Sequence, residues 1–176
     1  SNGITSARHD VISDYIKSLY PESYDHDVPD DLTYCGSKKL TDKIENYDIG
    51  KMLLSPSRSY APLLKKIFEK VGRDKINGII HCTGGGQTKI LHFIDDLHIM
   101  KNNLFETPPI FKLIMNESNT DPKEMYKVFN MGHRMEIYIP PDYASDIIEI
   151  SKSVGIDAKI IGCLLYTSPS PRDSSE

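Results

Sequence analysis

The sequence predicts a mixed α/β domain, of the α+β kind, in which helices pack on a mixed β-sheet. Two observations carry this prediction. Short apolar runs typical of strands alternate along the chain with segments whose apolar residues repeat at helical spacing. Glycines and prolines mark the boundaries between these segments. A chain of 176 residues, 39% of them hydrophobic, is also long enough to bury a sizeable core.

The first half of the chain predicts two helices and two short strands. Apolar residues between Ile4 and Leu19 repeat at helical spacing, which predicts one opening helix. Short apolar pieces at 32–34 and 49–54 predict strands. The apolar stripe from Tyr60 to Val71 predicts a helix that ends at Gly72.

The second half predicts a regular alternation of strands and helices. Strands are expected at 76–82, 97–101, 134–139 and 156–162, and helices at about 87–94, 108–115, 121–129 and 141–154. The helix that starts at Asp121-Pro122 has the clearest boundary, because Asp is favoured at the N-cap and Pro at the first helical position.

Both ends of the chain look cut. The start at Ser1 without methionine predicts an internal segment of a longer protein. Residues 164–176 are rich in Ser and Pro and resemble read-through of an adapter or vector more than native protein. We therefore expect the domain to comprise residues 1–163.

Composition and charge exclude several classes of protein. With 21 basic against 25 acidic residues, the chain is not expected to bind nucleic acid. No apolar run approaches the roughly 20 residues of a membrane helix, and we expect no signal peptide. Cys35, Cys82 and Cys163 are too widely spaced for a disulfide framework or a zinc site, which favours a reducing, cytoplasmic location.

The strongest local signal for a binding site is the turn Thr83-Gly84-Gly85-Gly86, between a predicted strand and a predicted helix. Three glycines allow successive backbone N–H groups to converge on an anion, and the dipole of the following helix adds to the attraction. The alternative is a tight turn that needs positive φ, for which one glycine is enough. The turn matches neither a Walker A motif nor a Rossmann fingerprint.

Four further positions carry candidate chemistry, each with a plain structural alternative. Ser1-Asn2-Gly3 can bind phosphate or cap the first helix. The turn Asn130-Met131-Gly132-His133-Arg134 can position a substrate carbonyl through Asn130 and hold a phosphate or carboxylate through Arg134, or it can end a helix at Gly132 with exposed basic neighbours. Arg58 can face an anion or solvent. His81, at the end of a predicted strand, is either a site residue or a core histidine. No spacing of ligand residues predicts a metal site.

Four motifs, in this order, resemble the C-terminal half of the phosphoribosylformylglycinamidine cyclo-ligase family, the AIR synthetases of purine biosynthesis. They are Ser1-Asn2-Gly3 with Arg8, Leu54-Ser55-Pro56-Ser57-Arg58-Ser59-Tyr60, His81-Cys82-Thr83-Gly84-Gly85-Gly86, and Glu124-Met125-Tyr126-Lys127-Val128-Phe129-Asn130-Met131-Gly132. The resemblance covers residues 1 to about 163. The segments 34–42 and 87–93 resemble the Bacteroidetes-type version of the family, and the latter stands where the family usually has Asn-Ile-Pro-Arg.

The resemblance implies an ATP-dependent ring closure in which ATP activates the amide oxygen of formylglycinamidine ribonucleotide. A substrate nitrogen then attacks the activated carbon, phosphate leaves, and aminoimidazole ribonucleotide forms. Mg²⁺ accompanies the nucleotide, with ligands mostly in an N-terminal domain that this chain lacks. The resemblance also implies a homodimeric, cytoplasmic parent enzyme, a fragment that is inactive alone, and no nucleic-acid or membrane partner.

The same resemblance assigns site residues by position. The implied catalytic residues are His81 and Asn130, and the implied substrate- or phosphate-binding residues are Ser1, Asn2, Gly3, Arg8, Arg58, Thr83, Gly84, Gly85, Gly86 and Gly132. No metal ligand is assigned. Other ATP-using enzymes with the same two-domain plan remain alternatives: formylglycinamidine ribonucleotide synthetase, selenophosphate synthetase and thiamine-phosphate kinase. A non-catalytic phosphate- or nucleotide-binding or dimerisation domain is the alternative from another class.

Overall fold

The computed structural model describes residues 3–55 and 58–166 and confirms the predicted mixed α/β class. The helices are α1 (Ile4–Ser6), α2 (Tyr15–Leu19), α3 (Ile49–Leu53), α4 (Ala61–Lys70), α5 (Pro109–Ser118), α6 (Pro122–Val128) and α7 (Ala144–Ser153). The strands are β1 (Lys43–Ile44), β2 (Tyr47–Asp48), β3 (Gly78–His81), β4 (Leu97–Lys101), β5 (Met135–Tyr138) and β6 (Gly162–Tyr166). Within the described residues, none of the helices combines the length and apolarity that crossing a bilayer requires.

The described residues form two compact units. The first unit takes its residues from 3–55, 58, 81–88 and 107–134, and the second from 59–80, 89–106 and 135–166. In the first unit, α5 packs against the π-helical turn Ala7–Val11 that continues α1. The core of this unit consists of Ala7, Val11, Ile12, Ile16, Tyr34, Ile49, Phe111, Leu113, Ile114, Met125, Phe129 and Met131.

The prediction of one opening helix from Ile4 to Leu19 is wrong, because the chain leaves the helix at Ile12. Ile12 has extended angles, φ −81° and ψ 135°, and forms a parallel bridge with Lys38. The Ser13 N–H donates to the carbonyl oxygen of Lys38 at 2.9 Å. This pairing over a long sequence separation replaces the helical hydrogen bonds and separates α1 from α2, which a local pattern does not reveal.

The strands predicted at 32–34 and 49–54 are also wrong. Leu32 ends a 3₁₀ turn, and Tyr34 has a positive φ of 52°. Residues 49–53 form helix α3, and the fully buried Ile49 anchors that helix in the core. A short apolar run fits either a strand or a helical turn, and here the packing decides. The strands of this region are the antiparallel pair β1–β2.

The second unit contains the helix pair α4 and α7, the two-stranded sheet β4–β6, and the two-stranded sheet β3–β5 except for His81, the last residue of β3, which belongs to the first unit. Leu63, Ile67, Ile147 and Ile150 form the core between these two helices. Both helices stop before the predicted glycines, since Gly72 and Gly155 have φ of 94° and 68°. The strand predictions over 76–82, 97–101 and 134–139 and the helix predictions that begin near 108, 121 and 141 are confirmed.

The last strand lies further along the chain than the predicted 156–162. Residues 162–166 form β6, which pairs antiparallel with β4 and sets Cys163 opposite Met100. A Cβ on Gly162 would stand 1.8 Å from the Met100 carbonyl oxygen, so only glycine fits where the two backbones first meet. β6 thus continues beyond residue 163, and residues 167–176 lie outside the described part of the chain. The predicted helix after the glycines is a 3₁₀ helix, Gly86–His92.

Candidate functional site

All the described residues that the sequence nominated for the site lie in the first unit. They are Gly3, Arg8, Arg58, His81, Thr83, Gly84, Gly85, Gly86, Asn130 and Gly132. Ser1 and Asn2 lie outside the described residues. The first unit thus gathers nominees from three separate stretches of the chain.

The glycine turn begins at a buried residue and continues through exposed residues. The buried Cys82 donates its N–H to the carbonyl oxygen of Arg134 at 2.9 Å, which fixes the end of β3. The chain then turns outward through the exposed Thr83 and Gly84. The Gly86 N–H donates back to the Thr83 carbonyl oxygen at 3.1 Å, and this bond closes the turn.

The outer part of the turn is open to a ligand. Nothing lies within 4 Å of the position where a Cβ on Gly84 would stand. His81 and Thr83 on either side of Cys82 are exposed, so the core-histidine alternative for His81 is wrong. Arg134 is exposed as well, and its carbonyl oxygen accepts the Cys82 N–H, so an exposed cationic residue lies next to the start of the turn. Exposed backbone beside a cation suits an anionic ligand.

The inner part of the turn packs against the C-terminal end of α6 and the residue that follows it. A Cβ on Gly86 would stand 2.4 Å from the carbonyl oxygen of Phe129 and 2.7 Å from that of Tyr126, so the backbones approach too closely for any side chain. The next residue, Gln87, is only 8% exposed, and its Nε2 donates to the carbonyl oxygen of Asn130 at 2.8 Å. The glycine turn and the Asn130 segment therefore form one packed structure.

Asn130 shapes a second turn with its own side chain. Its Oδ1 accepts the N–H of Gly132 at 2.9 Å, and its carbonyl oxygen accepts the N–H of His133 at 2.9 Å. Met131 and Gly132 have φ of 50° and 92°. The Asn130 amide oxygen, buried with the rest of the residue, thus stabilises a strained turn directly behind the glycine turn.

Gly3 and Arg8 are held by contacts elsewhere in the first unit. Gly3 is buried with φ 78°, and a Cβ there would stand 3.0 Å from Cε1 of Phe111. The Arg8 guanidinium donates to the carbonyl oxygen of Ser23 and, at 3.3 Å, to the Tyr34 hydroxyl. Arg8 therefore ties the loop that contains Ser23 to the core residue Tyr34. Arg58 is exposed.

The residue that the sequence analysis missed is Gln87. The only sequence signal is a polar residue directly after the glycines, and nothing local shows that it is buried. Across residues 3–55 and 58–166, no three His, Cys, Asp or Glu side chains come together as metal ligands.

Comparison with known proteins gives the same family throughout. A family model described as AIR synthase related protein, C-terminal domain, matches residues 33–165. The phosphoribosylformylglycinamidine cyclo-ligase of Methanopyrus kandleri is 31% identical over 163 residues, which is 92% of this chain and 39% of that protein. The enzymes of the same name from Methanococcus vannielii and Caldicellulosiruptor saccharolyticus are 36% and 32% identical over 62% and 68% of this chain. The chain spans between 31% and 39% of the length of these relatives.

Proposed function

The chain belongs to the AIR synthase related protein family as a C-terminal domain, and from that membership we propose that it is the C-terminal part of an ATP-dependent cyclo-ligase. In the proposed reaction, ATP phosphorylates the amide oxygen of formylglycinamidine ribonucleotide. A nitrogen of the same molecule then attacks the activated carbon, phosphate leaves, and the ring of aminoimidazole ribonucleotide closes. The relatives that carry the cyclo-ligase name support this assignment.

The open glycine turn is the observation that carries the proposal. Its Thr83 and Gly84 are exposed, whereas its Gly86 packs closely against the carbonyl oxygens of Tyr126 and Phe129 at the C-terminal end of α6. A backbone that is fixed behind and exposed in front can offer the Gly84 and Gly85 N–H groups to a phosphate, whereas the Thr83 and Gly86 N–H groups already donate to the carbonyl oxygens of His81 at 2.8 Å and of Thr83 at 3.1 Å. We propose that this turn binds a phosphate of the ribonucleotide or of ATP, and that Arg134 adds the positive charge.

The remaining nominees have supporting roles in this proposal. His81 contacts the substrate beside the turn, while Asn130 and Gly132 stabilise the turn from behind. We propose that Mg²⁺ accompanies the nucleotide and that its ligands lie mostly in the rest of the longer enzyme. We further propose a cytoplasmic, homodimeric parent, with residues 1–163 as its C-terminal domain.

Titration of this chain with ribose 5-phosphate tests the proposed site. We expect the amide NMR signals of Gly84 and Gly85 to shift first. The Gly84→Ala variant should bind about tenfold more weakly, because its methyl group occupies the open space over the turn, and that loss corresponds to about 1.4 kcal/mol. Its melting temperature should not change, since nothing in the protein contacts the new methyl group.

Gly78→Ala is the matched control for this titration. It lies in β3, where an added Cβ would make only an ordinary contact, 3.9 Å from Cδ2 of Tyr138. Its ribose 5-phosphate affinity should equal that of the unmodified chain. Equal affinity of the Gly84→Ala variant, or signal shifts confined to residues outside the turn, would refute the proposed site.

A further inference from the structure

We infer that Gln87 is a positioning residue of the phosphate site. Its side-chain amide fixes the Asn130–Gly132 turn against the glycine turn and thereby sets the geometry in which the exposed amides meet a phosphate. This inference rests on the proposed function and adds a residue that the motif resemblance did not include.

The burial of Gln87 is the first argument. Glutamine is seldom buried, because an amide that leaves water without a hydrogen-bond partner costs free energy. Here 8% of the residue is exposed and Nε2 has its partner, the Asn130 carbonyl oxygen, at 2.8 Å. If packing alone mattered, a buried leucine would fill this site at a lower cost in free energy than a glutamine. The bond from Nε2 to the Asn130 carbonyl oxygen offsets part of this cost and links Gln87 to the second turn.

The second argument is that two successive residues tie the same two segments together. Gly86 brings the backbones into contact, since a Cβ there would stand 2.4 Å from the Phe129 carbonyl oxygen. Gln87 adds a directed bond to the next residue of that segment, Asn130. Contact alone allows the segments to slide, whereas a directed hydrogen bond next to it fixes their register.

The third argument separates positioning from folding. The Asn130 carbonyl oxygen also accepts the His133 N–H at 2.9 Å, so it keeps a partner when the Gln87 donor is removed. Loss of the donor therefore leaves no orphaned backbone carbonyl, and the fold should survive. The variant loses only the hydrogen bond that holds the Asn130–Gly132 turn against the glycine turn. Displacements of about 1 Å at a binding site are enough to cost a large part of its effect.

The test compares the full chain with its Gln87→Met and Gln87→Glu variants. Methionine keeps the length of the side chain but donates no hydrogen bond. We expect Gln87→Met to bind ribose 5-phosphate about tenfold more weakly and to exchange the Gly132 and His133 amide protons several-fold faster, at an unchanged melting temperature. Asn103→Met, an exposed amide in the second unit, is the matched control and should change neither quantity.

Gln87→Glu gives a readout that loss of packing would not produce. An ionised carboxylate cannot donate to the Asn130 carbonyl oxygen, but a protonated carboxyl can. Relative to the unmodified chain at each pH, the affinity of Gln87→Glu should be low at pH 8 and should recover toward pH 5. The affinity of Gln87→Met should stay low throughout.

Each outcome decides a separate question. Amide exchange and affinity in Gln87→Met that equal those of the unmodified chain would overturn the inference, and so would a Gln87→Glu affinity without pH-dependent recovery. If the unmodified chain does not bind ribose 5-phosphate at all, the proposed phosphate site fails. In that case, unchanged amide exchange in Gln87→Met would overturn the positioning role as well, and faster exchange would retain it as a tie between the two turns.

Discussion

At the scale of single residues, two glycines of the same turn have opposite surroundings: one is open to solvent and the other is packed against backbone. Gly84 faces open space, while Gly86 has φ 47° and carbonyl oxygens where a side chain would be. We expect Gly86→Ala to lower the free energy of unfolding by about 3 kcal/mol, through backbone strain together with the clash, and Gly84→Ala by less than about 0.5 kcal/mol. Urea denaturation measures both.

Gly155→Ala separates strain from clash in this comparison. Gly155 has φ 68° with nothing within 4 Å of its Cβ position, so its substitution should cost only the left-handed conformation, about 1 kcal/mol. A loss for Gly86→Ala no larger than that for Gly155→Ala would contradict the close approach to Phe129.

His9 gives the first unit a dependence on pH. Burial lowers the pKa of His9 below its usual 6.5, and the Arg8 guanidinium lowers it further, against an opposing effect of Asp10. Because the unfolded chain binds the proton more readily, the stability from neutral His9 is present above pH 6.5 and is lost as the pH falls through and below that value. Urea denaturation from pH 8 to pH 5 measures this, and a His9→Gln variant with the same slope would contradict it.

At the scale of elements, a buried ion pair joins β4 to β5. The Lys101 Nζ lies 2.5 Å from Oε1 of Glu136, and their side chains are 13% and 4% exposed. The Tyr138 hydroxyl donates to the other carboxylate oxygen at 2.6 Å. We expect Lys101→Met to cost about 3–5 kcal/mol, because it removes the cation from a buried carboxylate, and Tyr138→Phe about 1 kcal/mol.

A double variant checks this interpretation of the pair. Adding Glu136→Leu to Lys101→Met removes the uncompensated charge, so the double variant should be more stable than Lys101→Met alone. Equal or lower stability of the double variant in guanidinium denaturation would refute an electrostatic origin.

Elements whose boundaries are set locally could be predicted from the sequence. Helix α6 begins at the predicted Asp121-Pro122, and the Asp121 carboxylate accepts the Lys123 N–H at 2.9 Å as an N-cap does. The break at Ile12 could not be predicted, because its cause is Lys38, which is far along the chain. The same distinction holds at the site: both glycine turns are visible in the sequence, but the bond from Gln87 to Asn130 is not.

For the whole molecule, each compact unit is assembled from several separate segments of the chain. The chain passes from one unit to the other near residues 58, 80, 88, 106 and 134, so neither unit is a continuous segment. The change to a Ser- and Pro-rich composition after residue 163 predicts a single domain over residues 1–163, and this boundary remains a prediction. The Bacteroidetes-type assignment also remains a prediction. The family itself could be identified from four short motifs, two of which contain turns with positive φ, at Gly85-Gly86 and at Met131-Gly132.

The last prediction concerns the activity of the whole chain. We expect the purified chain to form no aminoimidazole ribonucleotide from formylglycinamidine ribonucleotide and ATP, because it spans only 39% of its Methanopyrus kandleri relative and its described residues assemble no group of metal ligands. Phosphate release and the mass of the product measure this, with that relative as the positive control. Phosphoryl transfer requires positive charge around the phosphate groups, and one glycine turn with Arg134 is too little to supply it. Ring closure by the chain alone would therefore mean that its own residues hold the nucleotide, and the division of labour proposed for the longer enzyme would be wrong.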